Sequence, residues 1–147
     1  MNKKYAFVFS VALIIVLLDQ LTKLLIRNNF QLNQSIPIIE NIFHFTYLTN
    51  TGSAFGMFKD LNLFFILFSI AVAIGILYFM KGIKQNEKMM QLAFGLLFGG
   101  TIGNLIDRIA LGSVVDFLDF RIWPVFNIAD SAVTVSVIIL IILLWKK

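Results

Sequence analysis

Cysteine is absent from the 147 residues, and histidine occurs once, as His44. Without thiols there is no disulfide framework, no thiolate nucleophile and no cysteine-based metal site, and one histidine cannot form a histidine-rich or HExxH metal centre. His44 is also the only base open to a Ser-His-Asp triad, and it lies in an alternating run where it reads as a strand residue. Any hydrolytic chemistry therefore falls to carboxylates or to a Ser-Lys pair. Charge is scarce as well. Only 14% of residues are charged against 59% hydrophobic, and the mean hydropathy is +0.90. That leaves too little polar surface to clothe a soluble domain and assigns the chain to a membrane. The net charge of +4 does not point to nucleic acid, because the basic residues flank hydrophobic runs instead of forming one stripe.

Four apolar runs are long enough to span a bilayer. Met1-Asn2-Lys3-Lys4 and the apolar residues after it imitate a secretory signal peptide, but no small-x-small cleavage site follows Leu18 and the apolar run resumes. Residues 5–26 are therefore expected to be a retained spanning helix of about 33 Å. Asp19 and Lys23 interrupt it at i and i+4, within pairing reach on one face. They read equally well as a structural ion pair or as a substrate contact. The other spans are expected at about 61–80, 89–110 and 128–145, within a single integral-membrane domain covering 1–147. In the third, Gly95, Gly99 and Gly103 recur at i+4 and strip one face for close helix approach.

Between the first two spans the period changes to two. Phe43, Phe45 and Tyr47 alternate with His44, Thr46 and Leu48, and Ile36-Pro37-Ile38-Ile39 supplies a partner strand. The expected fold is thus all-α, four transmembrane helices carrying a small β-sheet outside the bilayer. Asn50 to Gly56, with Gly52, Ser53 and Ala54 between them, forms a loop able to approach an extended ligand.

The polar residues concentrate in Gly99 to Ser131, which holds Asp107, Asp116, Asp119, Asp130, Arg108, Arg121, Asn104 and Asn127 between two spanning runs. Ionisable residues beside or inside hydrocarbon are functional candidates by default. Asp116 and Asp130 lead them. Asp119, two residues past Phe117, reads as solvated. Lys3, Lys4, Lys81, Lys84, Lys88, Lys146 and Lys147 fall on one side of a four-span threading, so the positive-inside rule puts both termini in the cytoplasm. The same threading gathers Lys23, Asn50, Asn104, Arg108, Asp116, Asn127 and Asp130 at the outer face.

Five ordered blocks carry a resemblance: Asp19 to Lys23, Asn50 to Gly56, Gly99 to Arg108, Val115-Asp116-Phe117 and Phe126 to Ser131. Together they resemble the prolipoprotein signal peptidases, the type II signal peptidases of bacteria, and show no departure at the family's polar positions in a compact chain without terminal extensions. The resemblance implies an aspartyl endopeptidase of the bacterial cell membrane that needs no metal or cofactor. It implies a catalytic pair at Asp116 and Asp130, with Asp19, Lys23, Asn50, Gly56, Asn104, Asp107, Arg108 and Asn127 binding substrate or supporting the pair. Its implied partners are membrane lipids and prolipoproteins cut before a diacylglyceryl-modified cysteine, with the cyclic peptide globomycin as inhibitor and the enzyme a monomer. Two other classes fit some residues. A proton-coupled transporter or channel also places Asp and Arg in membrane helices, although these charges cluster at one face and no internal repeat is seen. A Ser-Lys protease could recruit Ser53 or Ser113 with Lys23, but Asp19 one turn away disfavours a neutral lysine.

Overall fold

The computed structural model describes residues 3–52 and 61–145. Four helices carry the chain: α1 (Lys3–Asn29), α2 (Asn62–Phe79, prolonged by a 3-10 turn over Met80–Gly82), α3 (Lys88–Leu111) and α4 (Ile128–Trp145). Each is long and apolar enough to cross a membrane. Large side chains such as Leu13, Leu17, Leu21, Leu67, Ile74 and Ile141 stand exposed on their outer faces. That is the surface a hydrocarbon solvent accepts and water does not.

The helix α3 is central and packs against α1, α2 and α4. Its glycines set the distances. A Cβ on Gly95 would lie 2.7 Å from Val11 Cβ, and one on Gly99 would lie 2.8 Å from Ala12 O, so this face of α3 presses on the α1 backbone. A Cβ on Gly103 would meet Asp19 Oδ2 at 2.7 Å, bringing the third glycine against the polar part of α1. A second small-residue contact, absent from the i+4 series, is Gly100, whose Cβ would fall 2.5 Å from Ala129 O of α4. Two helices thus close onto α3 at near-backbone distance, as small residues allow in apolar solvent.

The cytoplasm-directed lysines expected at the start of the chain include one that folds inward. Lys4 Nζ donates to Lys81 O and Ile83 O, both at 2.8 Å, and so ties the start of α1 to the carbonyls that end α2 and its 3-10 turn.

Three antiparallel strands form a sheet in the order β1 (Ser35–Ile39), β2 (Phe43–Asn50) and β3 (Val114–Asp119). The β1–β2 hairpin closes with Asn41 at φ 61° and Ile42 N–H donating to Ile39 O at 3.1 Å. Asparagine tolerates that left-handed conformation better than most residues. Strand β3 follows α3 directly, because Gly112 ends the helix at φ 74° with its N–H donating to Arg108 O. The sheet rests on the helix ends through Val115 and Phe117, which pack with Ile26 of α1, Ile128 of α4, Phe30, Phe45, Tyr47 and Leu118.

The close approach makes a specific prediction. Gly99→Ala forces a methyl into Ala12 and Ile15 of α1, and overpacking of this kind costs about 1–3 kcal/mol. Gly75→Ala meets nothing within 4 Å. Thermal unfolding in detergent is expected to show a lowered midpoint for Gly99→Ala and a parent-like one for Gly75→Ala.

Candidate active site

The site is built around the first turn of α4. Asn127 precedes the helix, and its Oδ1 accepts the Asp130 N–H at 2.9 Å while Asp130 Oδ2 accepts the Asn127 N–H at 3.3 Å. This reciprocal pair is a capping box written N-x-x-D, and it satisfies two donors that a helix start otherwise leaves open. A third donor, Ala129 N–H, goes to Asp19 Oδ1 of α1 at 2.9 Å. The helix N-terminus therefore meets two carboxylates, as its dipole favours.

Asp19 is fully buried and holds Lys23 at 2.8 Å. Lys23 Nζ also lies 3.1 Å from Asp107 Oδ2 and donates to Asn104 Oδ1 at 3.0 Å. Asp107 Oδ2 accepts the Val115 N–H at 3.0 Å, fixing the start of β3 to α3. Gln20 completes this cluster by donating from Nε2 to Asp107 Oδ1 at 2.9 Å and to Gly103 O at 3.1 Å. The Asp19–Lys23 ion pair expected at i and i+4 is present, but it is one edge of a larger network that spans α1, α3, β3 and α4.

Asn104 and Asn127 connect this network to Asp116 and Asp130. Asn104 Nδ2 donates to Asp130 Oδ1 at 2.7 Å, Asn127 Nδ2 donates to Asp116 Oδ1 at 2.8 Å, and Asn127 Nδ2 also reaches Asn104 Oδ1 at 3.1 Å. From the other side Asn50 Nδ2 donates to Asp116 Oδ2 at 3.3 Å, while Asn50 Oδ1 accepts the Gly52 N–H and turns the chain after β2. Arg108 stands over the Phe65 ring at 5.4 Å and acts on Asp130, Asp116 and Asp107 through its charge. Gly56, the remaining candidate, and Ser53 lie outside the described residues.

Asp116 and Asp130 line one cavity of about 840 Å³. Asn50, Ser131 and Thr134 add polar atoms, and the facing wall is apolar, made by Phe120, Ile122, Trp123, Pro124, Val125 and Phe126. Burial of Asp116, with the charge of Asp130 beside it, raises its pKa to about 7 against the opposing hydrogen bonds from Asn50 and Asn127 and the charge of Lys23. One of these two carboxyls is therefore fit to hold a proton at neutral pH. Among the described residues no cluster of three or more His, Cys, Asp or Glu side chains is placed to hold a metal ion.

One reading of the sequence changes, and two features of the site escape it. Asp119 is not solvated: it is buried, accepting from Thr46 Oγ1 at 2.7 Å and from Arg121 NH1 at 2.9 Å. Thr46 of β2 and Arg121 beyond β3 cover it, partners that its place two residues past Phe117 does not identify. Burial opposes its charge, but the donors from Thr46 and Arg121 outweigh that and hold its pKa below the usual carboxylate range. Gln20 was overlooked; its only signal is a polar side chain beside Asp19 in an apolar run. The wall at residues 120–126 was overlooked too, although its cluster of aromatics around Pro124 sits between two candidate aspartates.

Comparison with known proteins bears on this arrangement. Residues 11–146 match the family model described as signal peptidase (SPase) II. A lipoprotein signal peptidase of Halothermothrix orenii is 46% identical over 141 residues, covering 95% of this chain and 96% of that protein. One of Bacillus subtilis is 44% identical over 138 residues, covering 91% and 90%. Among solved structures, a bacterial membrane enzyme determined by the in meso method at 2.3 Å resolution superposes with a TM-score of 0.89 at 38% identity, covering 95% of this chain and 87% of that one. Another, at 1.9 Å, superposes with a TM-score of 0.88 at the same identity. With a family match over nearly its whole length, and relatives this similar over nine-tenths of both chains, the chain belongs to the signal peptidase II family.

Proposed function

We propose that this protein is an aspartyl endopeptidase of the bacterial cell membrane. It removes signal peptides from diacylglyceryl-modified prolipoproteins, cutting before the lipid-modified cysteine. The observation that carries this reading is the shared cavity that Asp116 and Asp130 line together with an apolar wall. A lipid-anchored cleavage site needs a dry flank for acyl chains and a polar edge where water and carboxyls meet the peptide. Family membership supports the substrate class and disfavours a transporter. A Ser-Lys mechanism is disfavoured because Lys23 Nζ is committed to Asp19, Asp107 and Asn104.

The chemistry is general acid and base. Asp116, with its raised pKa, donates its proton to the scissile carbonyl oxygen, while Asp130 acts as the base and removes a proton from water as the water oxygen bonds to the carbonyl carbon. The resulting gem-diol returns a proton to Asp116. The C–N bond then breaks as nitrogen takes the proton held by Asp130, so the pair ends as it began and no covalent intermediate forms. Asn104 and Asn127 keep the two carboxyls in register, Asn50 holds Asp116 from the β2 side, and Asp19, Lys23, Asp107 and Arg108 support them. Gly56 is assigned to the substrate side. The enzyme works as a monomer and as a single domain, with both termini in the cytoplasm and the cavity near the extracytoplasmic face. Globomycin, as a cyclic peptide, blocks that cavity.

Cleavage of a purified diacylglyceryl-modified precursor, read as a gel shift with and without globomycin, tests the activity. Asp116→Asn and Asp130→Asn are each expected to lower kcat by about 10²–10⁴-fold or more while the protein still folds and inserts. The parent profile is expected to be bell-shaped, with a basic limb near pH 7 where Asp116 loses its proton. Near-parent turnover by either variant refutes the assignment.

Stability gives a separate check. The folded pKa of Asp116 lies above the ordinary carboxylate value of about 3.9, so its contribution to stability is full below about pH 4 and is lost as pH rises through 7. Asp116→Asn lacks this step. Its melting midpoint relative to the parent is expected to climb between pH 4 and pH 8; a flat difference contradicts the raised pKa.

Topology is tested by reporter fusions. Fusions after Lys84 are expected to report cytoplasm, and fusions near Asn50 and Ser113 the outside. An outside signal at Lys84 reverses the orientation.

A further inference from the structure

The apolar wall opposite the two carboxyls is a turn of unusual geometry held by one buried side chain. Arg121 has φ 66°, and Ile122 N–H donates across it to Phe120 O at 2.8 Å. A positive φ under an i to i+2 hydrogen bond is the rarer and more strained form of γ-turn, and arginine has no special tolerance for it. Strain of this kind persists only where surrounding contacts impose it. Asp119 supplies those contacts. Its Oδ1 accepts the Arg121 N–H at 2.9 Å, and its Oδ2 accepts Arg121 NH1 at 2.9 Å and Thr46 Oγ1 at 2.7 Å. The chain then returns so that Phe126 stacks on Phe120 at 5.9 Å, with an interplanar angle of 10°. Between these rings Ile122 and Trp123 project outward, 93% and 70% exposed.

We infer that Asp119 is a positioning residue for the substrate: by holding the Arg121 turn to β2, it sets the Phe120–Phe126 wall that receives the lipid-bearing side of the cleavage site. The inference rests on the peptidase reading above. It deepens that reading by naming the side chain through which binding of the lipid side is set, apart from the chemistry at Asp116 and Asp130.

The hold extends across the sheet with a defined direction. A carboxylate only accepts, so the Thr46 hydroxyl donates to Asp119. The Ser35 hydroxyl, 2.7 Å from Thr46 Oγ1, then donates to Thr46, and His44 Nδ1, 3.0 Å from Ser35 Oγ, must donate to Ser35. Neutral His44 therefore carries its proton on Nδ1. Its buried Nε2 has no partner among the described residues, which fits an atom with no hydrogen to place. All three strands and the turn are thus joined through Asp119, and the tautomer of the sole histidine reports on the connection.

The test uses the full-length protein in detergent with the diacylglyceryl-modified precursor. Asp119→Asn cannot accept at both oxygens, and Thr46→Val removes the hydroxyl. Each is expected to raise KM on the order of tenfold with kcat within about twofold of the parent, whereas Thr46→Ser keeps a parent-like KM. Shortening the acyl chains is expected to raise KM more for the parent than for Asp119→Asn. Nitrogen-15 NMR is expected to find neutral His44 of the parent protonated on Nδ1. A purely structural role would lower the active fraction, and hence kcat, at unchanged KM; that result overturns the inference. A parent His44 protonated on Nε2 also overturns it. Should Asp119→Asn fail to fold, the Thr46 pair and the tautomer decide. Failure of the peptidase reading shows differently, as a parent that does not cleave or a cleaving Asp116→Asn, with the tautomer, read without substrate, unaffected.

Discussion

The N-terminus of α4 sits at the point where every other part of the site converges. Its free N–H groups need acceptors, and in an apolar setting water cannot supply them reliably. Asn127 and Asp130 answer from the helix itself, and Asp19 answers from α1. Asp19 is then a buried carboxylate and needs its own partner, which Lys23 provides. Lys23 has donors to spare for Asp107 and Asn104, and Asn104 turns back to Asp130. One unsatisfied helix start is thereby linked to a closed circuit through α1, α3 and α4.

Burying this many polar groups is tolerable only when nearly all are paired, because a lone buried charge costs several kcal/mol. Among the described residues the buried side-chain atoms left without a partner are His44 Nε2 and Asn62 Oδ1, and neither belongs to the circuit. The glycines of α3 make the pairing possible. Gly103 lets Asp19 lie against the α3 backbone, and Gly100 brings Ala129 and the start of α4 to the same level. Packing and electrostatics are therefore one constraint: a methyl added at either glycine would displace a member of the polar circuit or the helix turn that carries Asp130.

The sheet serves the site from outside the helices. Strand β3 carries Asp116 at one point and Asp119 three residues later, and these carboxyls have opposite environments. Asp116 lines the cavity, where its burial and the nearby Asp130 raise its pKa against the hydrogen bonds from Asn50 and Asn127. Asp119 faces Thr46 and Arg121, which keep it ionised and committed to holding the turn. The proposed division of labour between a reacting carboxyl and a positioning one follows from those neighbours and not from residue type.

Four long apolar helices and the alternating strands were legible in the chain because each rests on local periodicity; costly charge marked the polar stretch from Gly99 to Ser131, and the family resemblance singled out Asp116 and Asp130 within it. Gly95, Gly99 and Gly103 were legible as a contact face through periodicity too, and the Asp19–Lys23 pair because helical spacing alone sets its reach. What required the tertiary structure were relations between segments far apart in sequence. The Gly100 contact with Ala129, the bridging by Gln20 and the reciprocal links through Asn104 and Asn127 depend on which helix faces meet. Asp119 is the clearest case. Its strand position was readable, but its burial depends on Thr46 from a different strand and on a positive-φ arginine beyond its own, and no local period encodes either. Local pattern determined what could be buried and where charge was costly; the three-dimensional neighbours decided that Asp116 is buried beside Asp130, which raises its pKa, and that Asp119 accepts from Thr46 and Arg121, which lowers its own.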